Sequence, residues 1–202
     1  MVVATPGLLS RAVGLLKARS IQTTVLIEEG DLTRLLPRLR VGELDLFVGR
    51  LEPGYASPDL ETEALYDEPM SIVAQPDHAL VRKAKPSWED LAAVAWVMPP
   101  PWASSRIKLN QMFYKHKLNP PVDVIESASF LVTLTFVRER GMMAFVARSV
   151  ARYLEREGLA KTLRVKIPIE LPSVGIITMR SRMRTPASEQ LIECLRQAAT
   201  AR

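Results

Sequence analysis

The strongest constraint on this chain is an alternation between two apolar periods within its first fifty residues. Leu8, Leu9, Ala12, Val13, Leu15 and Leu16 recur at three- and four-residue spacing, which places them on one face of a helix. Ile21, Thr23, Val25 and Ile27 then alternate with residues of the opposite face, the pattern of a strand. Asp31 is positioned to cap a second helix that carries Leu32, Leu35, Leu36 and Leu39, and Gly42 ends it. Pro37 lies inside that helix, where the missing N–H and the ring clash cost about 3 kcal/mol. A kink or a late start is expected there. Leu44 to Gly49 is a short apolar run suited to a buried strand. Strands and helices that alternate at this pitch pack as helices on a sheet, with right-handed crossovers between parallel neighbours.

A second series follows the loop marked by Pro53, Gly54, Pro58 and Asp59. Thr62 to Pro76 reads as one extended segment interrupted near Asp67 and Pro69. Pro86 and Ser87 open a short helix around Leu91, and Ala95 to Met98 is a strand. Ser104 or Ser105 caps a helix bearing Leu109, Met112, Phe113 and His116. Val122 to Ile125 is a strand, Ser129 leads a helix through Val137, and Met142 to Val146 is a strand before a helix that ends at Gly158. Thr162 to Ile169 and Val174 to Met179 are extended, and Thr185-Pro186 opens the last helix. The pattern predicts an α/β protein of two Rossmann-like subdomains joined by two crossover strands. One comprises residues 1–73 and 176–202, the other residues 74–175. Ligands of open α/β sheets bind beyond the carboxyl ends of strands, so a cleft between two such lobes is the expected sensing device.

Composition excludes more than it selects. Hydrophobic residues make up 48% and charged residues 24%, the balance of a globular chain rather than a disordered one. The longest apolar candidate, Leu91 to Pro101, is broken by prolines and falls short of the ~20 residues a membrane helix needs. No export signal is visible at the start, and a single cysteine, Cys194, forms no internal disulfide. The expectation is a cytoplasmic protein without membrane association. The net charge of +5 is not gathered into one stripe with interleaved aromatics. Arg180, Arg182 and Arg184 lie beside a turn and read as a solvated loop rather than a DNA contact.

The search for chemistry returns no catalytic centre. His78 sits in a turn and His116 near a helix end, neither with a partner at metal-ligand spacing. Cys194 lies beside Leu195 in the last helix, a packing position. There is no nucleophile elbow, no phosphate loop and no dinucleotide fingerprint. Glu28-Glu29 and Asp67-Glu68 read as solvated surface. No metal and no cofactor are predicted, and the chain is not expected to be an enzyme. The polar residues at strand-to-helix junctions are the binding candidates: Gly30, Asp31, Arg50, Pro100, Pro101, Trp102, Ser104, Ser127 and Ala128. Serine hydroxyls and helix N-terminal amides suit a carboxylate or a polyhydroxylated ligand, and Trp102 offers an apolar wall. The serines also serve as helix caps, and the two roles are compatible.

The stretch Leu35-Leu36-Pro37-Arg38-Leu39-Arg40-Val41-Gly42-Glu43-Leu44-Asp45-Leu46 resembles the Gly-x-Leu-Asp turn of LysR-type effector domains. Glu68-Pro69-Met70-Ser71-Ile72-Val73-Ala74-Gln75-Pro76-Asp77-His78-Ala79-Leu80 is similar to that family's crossover strand and His-Pro-Leu turn, and Thr185-Pro186-Ala187-Ser188 to its closing segment. The resemblance implies a type 2 periplasmic-binding-protein-like fold that senses a small inducer, in a subgroup resembling regulators of sugar-binding or aromatic-acid catabolic genes. It implies a homodimer, a tetramer in the full-length regulator, and DNA contact only through a winged helix-turn-helix absent from this chain. The implied dimer packs Leu8 to Arg19 and Ile21 to Ile27 against the helix Phe130 to Arg138 of another subunit. Carried over by position, inducer contacts are Val3, Ala4, Gly30, Asp31, Pro100 to Trp102, Ser127, Ala128, Phe145 and Val146. Departures bear on the inducer: Val3 stands where relatives often carry a hydroxyl, Ala79 replaces a proline, and Phe145-Val146-Ala147 replaces a Leu-Pro pattern. The first strand is also expected to be cut short. Two rivals remain: a free-standing solute-binding protein of transport type, and an enzyme using Arg50 or Asp31.

Overall fold

In the computed structural model, which describes residues 5–201, the chain passes twice between two units that each carry their own sheet. A π-helical turn (Thr5–Leu9) leads into α1 (Ser10–Arg19), followed by α2 (Leu32–Val41), β1 (Phe47–Arg50), a 3-10 turn (Pro53–Tyr55), β2 (Leu60–Tyr66) and β3 (Met70–Ala74). Then come α3 (Ala79–Arg82), α4 (Trp88–Ala92), β4 (Trp96–Met98), α5 (Ser104–Lys115), β5 (Val124–Glu126) and α6 (Phe130–Arg140). The chain ends with β6 (Met143–Ala147), α7 (Arg148–Arg156), β7 (Lys161–Thr162), β8 (Val174–Met179) and α8 (Pro186–Thr200). One unit is Glu68–Leu171. The other contains the described residues of Val2–Asp67 and Pro172–Arg202. The crossings therefore fall at Asp67/Glu68 and Leu171/Pro172, a few residues ahead of 73/74 and 175/176. The reason is that β3 pairs wholly in one sheet and β8 wholly in the other.

The discontinuous unit is built around its last strand. β8 lies between β1 and β2 and runs antiparallel to both. Gly175 makes this possible: a Cβ there would come within 2.2 Å of the Glu63 carbonyl oxygen, so only glycine admits so close an approach. Leu32, Leu36 and Leu39 of α2 pack with Leu60 and Ile177 into a core cluster. Burying each such side chain contributes roughly 1.5–3 kcal/mol. Asp31 caps α2 by accepting the Arg34 N–H at 3.1 Å, and Gly42 closes it with φ +82°. The helix starts at Leu32 and continues through Pro37, so the expected late start is not found. Pro37 and Thr33, whose carbonyl loses its helical donor, are both exposed, on the solvent side of the helix. Around this core, α1 packs against α8, with Leu8, Ala12 and Leu16 buried.

Three expectations for this unit fail. Ile21 to Ile27 is not a strand: it has no ladder partner among the described residues, and Ile21, Leu26 and Ile27 are exposed. Alternation marks a face but does not supply a neighbour. Among the described residues the parallel pairing expected from the opening βα pattern is absent with it. Leu44 to Gly49 is strand only from Phe47. The 180–184 segment is the solvated turn expected, with Arg180 and Arg182 exposed, and its three arginines also tie it to the unit. Arg180 donates to the Pro58 and Leu60 carbonyls, Arg182 to that of Val41, and Arg184 pairs with Glu61 at 2.6 Å.

The continuous unit has a five-stranded sheet in the order β5-β4-β6-β3-β7. β4 is parallel to β5 and β6, whereas β3 is antiparallel to β6 and β7. β3 and β6 are buried along their whole length, as central strands covered on both faces must be. Trp88 stacks on His116 with centroids 5.0 Å apart and meets Phe113 edge-on at 5.1 Å, which gives His116 a packing role at the end of α5. His78 caps α3, its Nδ1 accepting the Leu80 N–H at 3.2 Å. Of the expected extended run Thr162 to Ile169, only Thr162 is in a strand.

Five carboxyls (Asp31, Asp59, Glu63, Glu89 and Asp90) and one imidazole give the fold a pH dependence whose sign is readable. Hydrogen bonds from Arg40 and then Ser57 hold Asp59 down at about 2. Arg196 lowers Glu63, Thr33 lowers Asp31, and Lys83 lowers Asp90. Burial lowers His78. For every one of these groups the folded state binds fewer protons than the unfolded chain. Their contribution is therefore present above the unfolded pKa and is lost as pH falls. Urea unfolding should show a shallow decline below about pH 6.5 and a steeper one from about pH 4 down to about 2. Stability that rises between pH 4 and pH 2.5 would contradict these assignments.

Candidate functional site

The parallel arrangement of β5, β4 and β6 fixes where chemistry can gather in the continuous unit. Their carboxyl ends, at Glu126, Met98 and Ala147, lie along one edge of the sheet. The loop after β4 carries Pro100, Pro101 and Trp102 and leads into Ser104 at the start of α5, and the loop after β5 carries Ser127 and Ala128. The Ser127 N–H donates to the Met98 carbonyl at 2.9 Å, which ties the two loops together. Phe145 and Val146 end β6, opposite Ile72 and Ser71. The structure thus brings these eight candidates to one edge, with unequal access. Trp102 is 68% exposed, whereas Phe145 and Val146 are 1% and 2% exposed and shape the strand end from within the core.

Ser127 is the most informative of the group. Its half-buried Oγ accepts the Ser129 N–H at 3.0 Å, which leaves the hydroxyl proton available as a donor. Ser129 caps α6 by accepting the Val132 N–H. The first amides of an 11-residue helix therefore open beside a hydroxyl donor, a combination suited to an anionic or hydroxylated ligand. Neither Ser104 nor Ser105 caps α5, contrary to expectation. The cap position is Ala103, and Ser104 and Ser105 are already helical.

Two residues at this edge escaped the sequence reading. Arg106 is 8% exposed in the first turn of α5. Its guanidinium donates to the Pro99 carbonyl and the Asn110 side chain, and lies 3.7 Å from Glu126. It joins the ends of β4 and β5. Glu68, expected on the solvated surface, is 4% exposed and accepts the Ser149 N–H at 2.9 Å, so it caps α7, whose own cap residue is Ala147. A buried arginine or glutamate carries no local signal, since burial is decided by the whole fold.

In the discontinuous unit, Gly30 and the exposed Asp31 precede α2, and Asp31 is occupied with capping and with the Thr33 hydroxyl at 2.5 Å. Arg50 ends β1, its Nη1 donating to the Pro172 carbonyl at 2.8 Å, so part of its fork holds the returning chain. Val3 and Ala4 lie outside the described residues. Among the described residues no group of three His, Cys, Asp or Glu side chains could hold a metal ion, and no helix is long and apolar enough to cross a membrane.

The family described as LysR substrate binding domain matches residues 1–200, and the chain belongs to that family. It is 27% identical, over 91% of its length, to the HTH-type transcriptional regulator GalR of Pseudomonas putida, covering 46% of that protein. The chain spans about half the length of the curated relatives it matches. Among solved structures, the reduced form of the OxyR regulatory domain from Pseudomonas aeruginosa superposes with a TM-score of 0.75 at 22% identity, covering 96% of this chain and 93% of that one. The effector binding domain of QuiR in complex with shikimate also gives 0.75, at 14% identity, covering 99% and 94%. These likenesses show the type 2 periplasmic-binding-protein-like fold.

Exposure separates the structural residues at this edge from the available ones. Trp102→Ala should change unfolding free energy by no more than about 0.5 kcal/mol. Arg106→Met should cost about 1–3 kcal/mol, because it orphans the Pro99 carbonyl while Glu126, 45% exposed at its side chain, regains water. Denaturant titrations of the two variants decide it; equal losses would contradict the assignment.

Proposed function

We propose that this chain is the small-molecule-sensing part of a LysR-type transcriptional regulator. DNA recognition then belongs to a helix-turn-helix domain elsewhere in a longer protein, which acts in the cytoplasm. The relative named as an HTH-type regulator, about twice as long as this chain, supports that division of labour. The effector is proposed to be a carboxylate or a sugar-like molecule held at the ends of β4, β5 and β6. The observation that carries this reading is the Ser127 hydroxyl proton, left available as a donor beside the opening amides of α6. Shikimate, a ring bearing hydroxyls and one carboxylate, occupies the effector domain of QuiR and has the same mixed character. Binding rather than turnover is the proposed activity.

Oligomerisation belongs to the same proposal. Ile21, Leu26 and Ile27 are 83%, 75% and 54% exposed, and Leu131 on α6 is 70% exposed. Apolar surface left open on a strand-like segment and on a helix is the kind that a second copy covers.

Thermal shift against hydroxylated carboxylates, aromatic acids, dicarboxylates and sugars tests the reading. An effector at a hundredfold excess over its Kd should add about 2.7 kcal/mol of stability. Ser127→Ala should weaken that effector about 2- to 10-fold, the worth of one hydrogen bond. No response to any class, or an effector indifferent to Ser127, would count against it.

A further inference from the structure

Helix α7 carries charges that the fold does not account for. Arg148, Arg152 and Glu155 fall at i, i+4 and i+7 and share one flank. Two cations four residues apart repel each other, and cations in the first turns of a helix oppose its dipole. Neither arginine takes part in an ion pair among the described residues. Two carboxylates lie at hand, of which Glu155 also lines the cavity described below. Glu155 accepts the Thr162 N–H at 2.9 Å, and Glu68 accepts that of Ser149.

Both arginines border a cavity of about 280 Å³ in the continuous unit, floored by Leu163, Val165 and Ile167. Ser71 also lines it. This residue is 7% exposed and presents its hydroxyl among the lining residues. The cavity lies toward the β3 and β7 side of the sheet, whereas Ser127 follows β5 at the opposite edge.

We propose that this cavity is a second ligand site, for a small organic anion with an apolar body. Its charge is shared by the Arg148 and Arg152 guanidinia, the Ser71 hydroxyl donates to it, and the body rests on Leu163, Val165 and Ile167. At about 30 Å³ for each water-sized group, the space takes about nine heavy atoms, too few for a nucleotide. Planar guanidinium forks match a carboxylate or a phosphate ester alike.

Cyclohexanecarboxylate, of that size, is the probe, measured by calorimetry beside its neutral amide and inorganic sulfate. The 202-residue chain should bind the carboxylate saturably, the amide not at all, and sulfate more weakly. Arg152→Gln changes an exposed side chain, and circular dichroism checks that the variant stays folded. It should weaken binding tenfold or more, and Ser71→Ala severalfold. Ser127→Ala should leave binding within twofold, which separates this site from the strand-end site proposed above. Absent binding at millimolar probe, equal affinity for the amide or sulfate, or binding indifferent to Arg152 would each overturn the proposal. So would binding lost in Ser127→Ala alone.

Discussion

The discontinuous unit exists because one strand comes back. Among the described residues β1 and β2 do not pair with each other; each finds its ladder in β8, formed more than a hundred residues later. Backbone groups left without partners in a core cost more than most side-chain contacts return, so the sheet and the return are one event. The return is held where it begins. Leu51 N–H donates to the Ser173 carbonyl, Arg50 to that of Pro172, and the Ser173 hydroxyl to Asp67 at 2.6 Å. Asp67 is the last residue before the outgoing crossing and Pro172 the first after the incoming one. The two passages are thus fastened to each other at the place where the chain changes units.

The continuous unit solves a different problem. Its three parallel strands bring separate loops to one edge, which is where a binding site can be assembled from short, local pieces. Arg106 and the Ser127 amide join the β4 and β5 ends, while Trp102 stays exposed and the Ser127 hydroxyl keeps its proton as a donor. Structural and available polar groups are segregated there residue by residue. On the other flank of the sheet, α7 keeps two arginines that no carboxylate engages, and the same logic of unspent groups points to a ligand.

How much of this was legible in the sequence follows the range of each interaction. Caps are local, so Asp31, Gly42, Ser129 and Thr185 could be placed from the chain alone, and each is found in that role. The five-residue run of β6 declared itself by unbroken apolar character, whereas β3, which contains Ser71, was legible only as part of the longer extended segment Thr62 to Pro76. Ile21 to Ile27 has the right alternation yet no neighbour, because pairing is a property of two segments. The place of β8 between β1 and β2 was illegible for the same reason. Glu68 and Arg106 were missed because burial of a charged group depends on what folds over it. At the site, serines before helices stood out, whereas the cost of their hydrogen bonds, and so which donors remain, required coordinates.

Amide hydrogen exchange of the intact chain tests the central claim most directly. Ile176 and Ile177 in β8 should lose protection together with β1 and β2, at one denaturant concentration and with one opening free energy. If β8 exchanges freely while β1 and β2 stay protected, the returning strand is not what holds that sheet together.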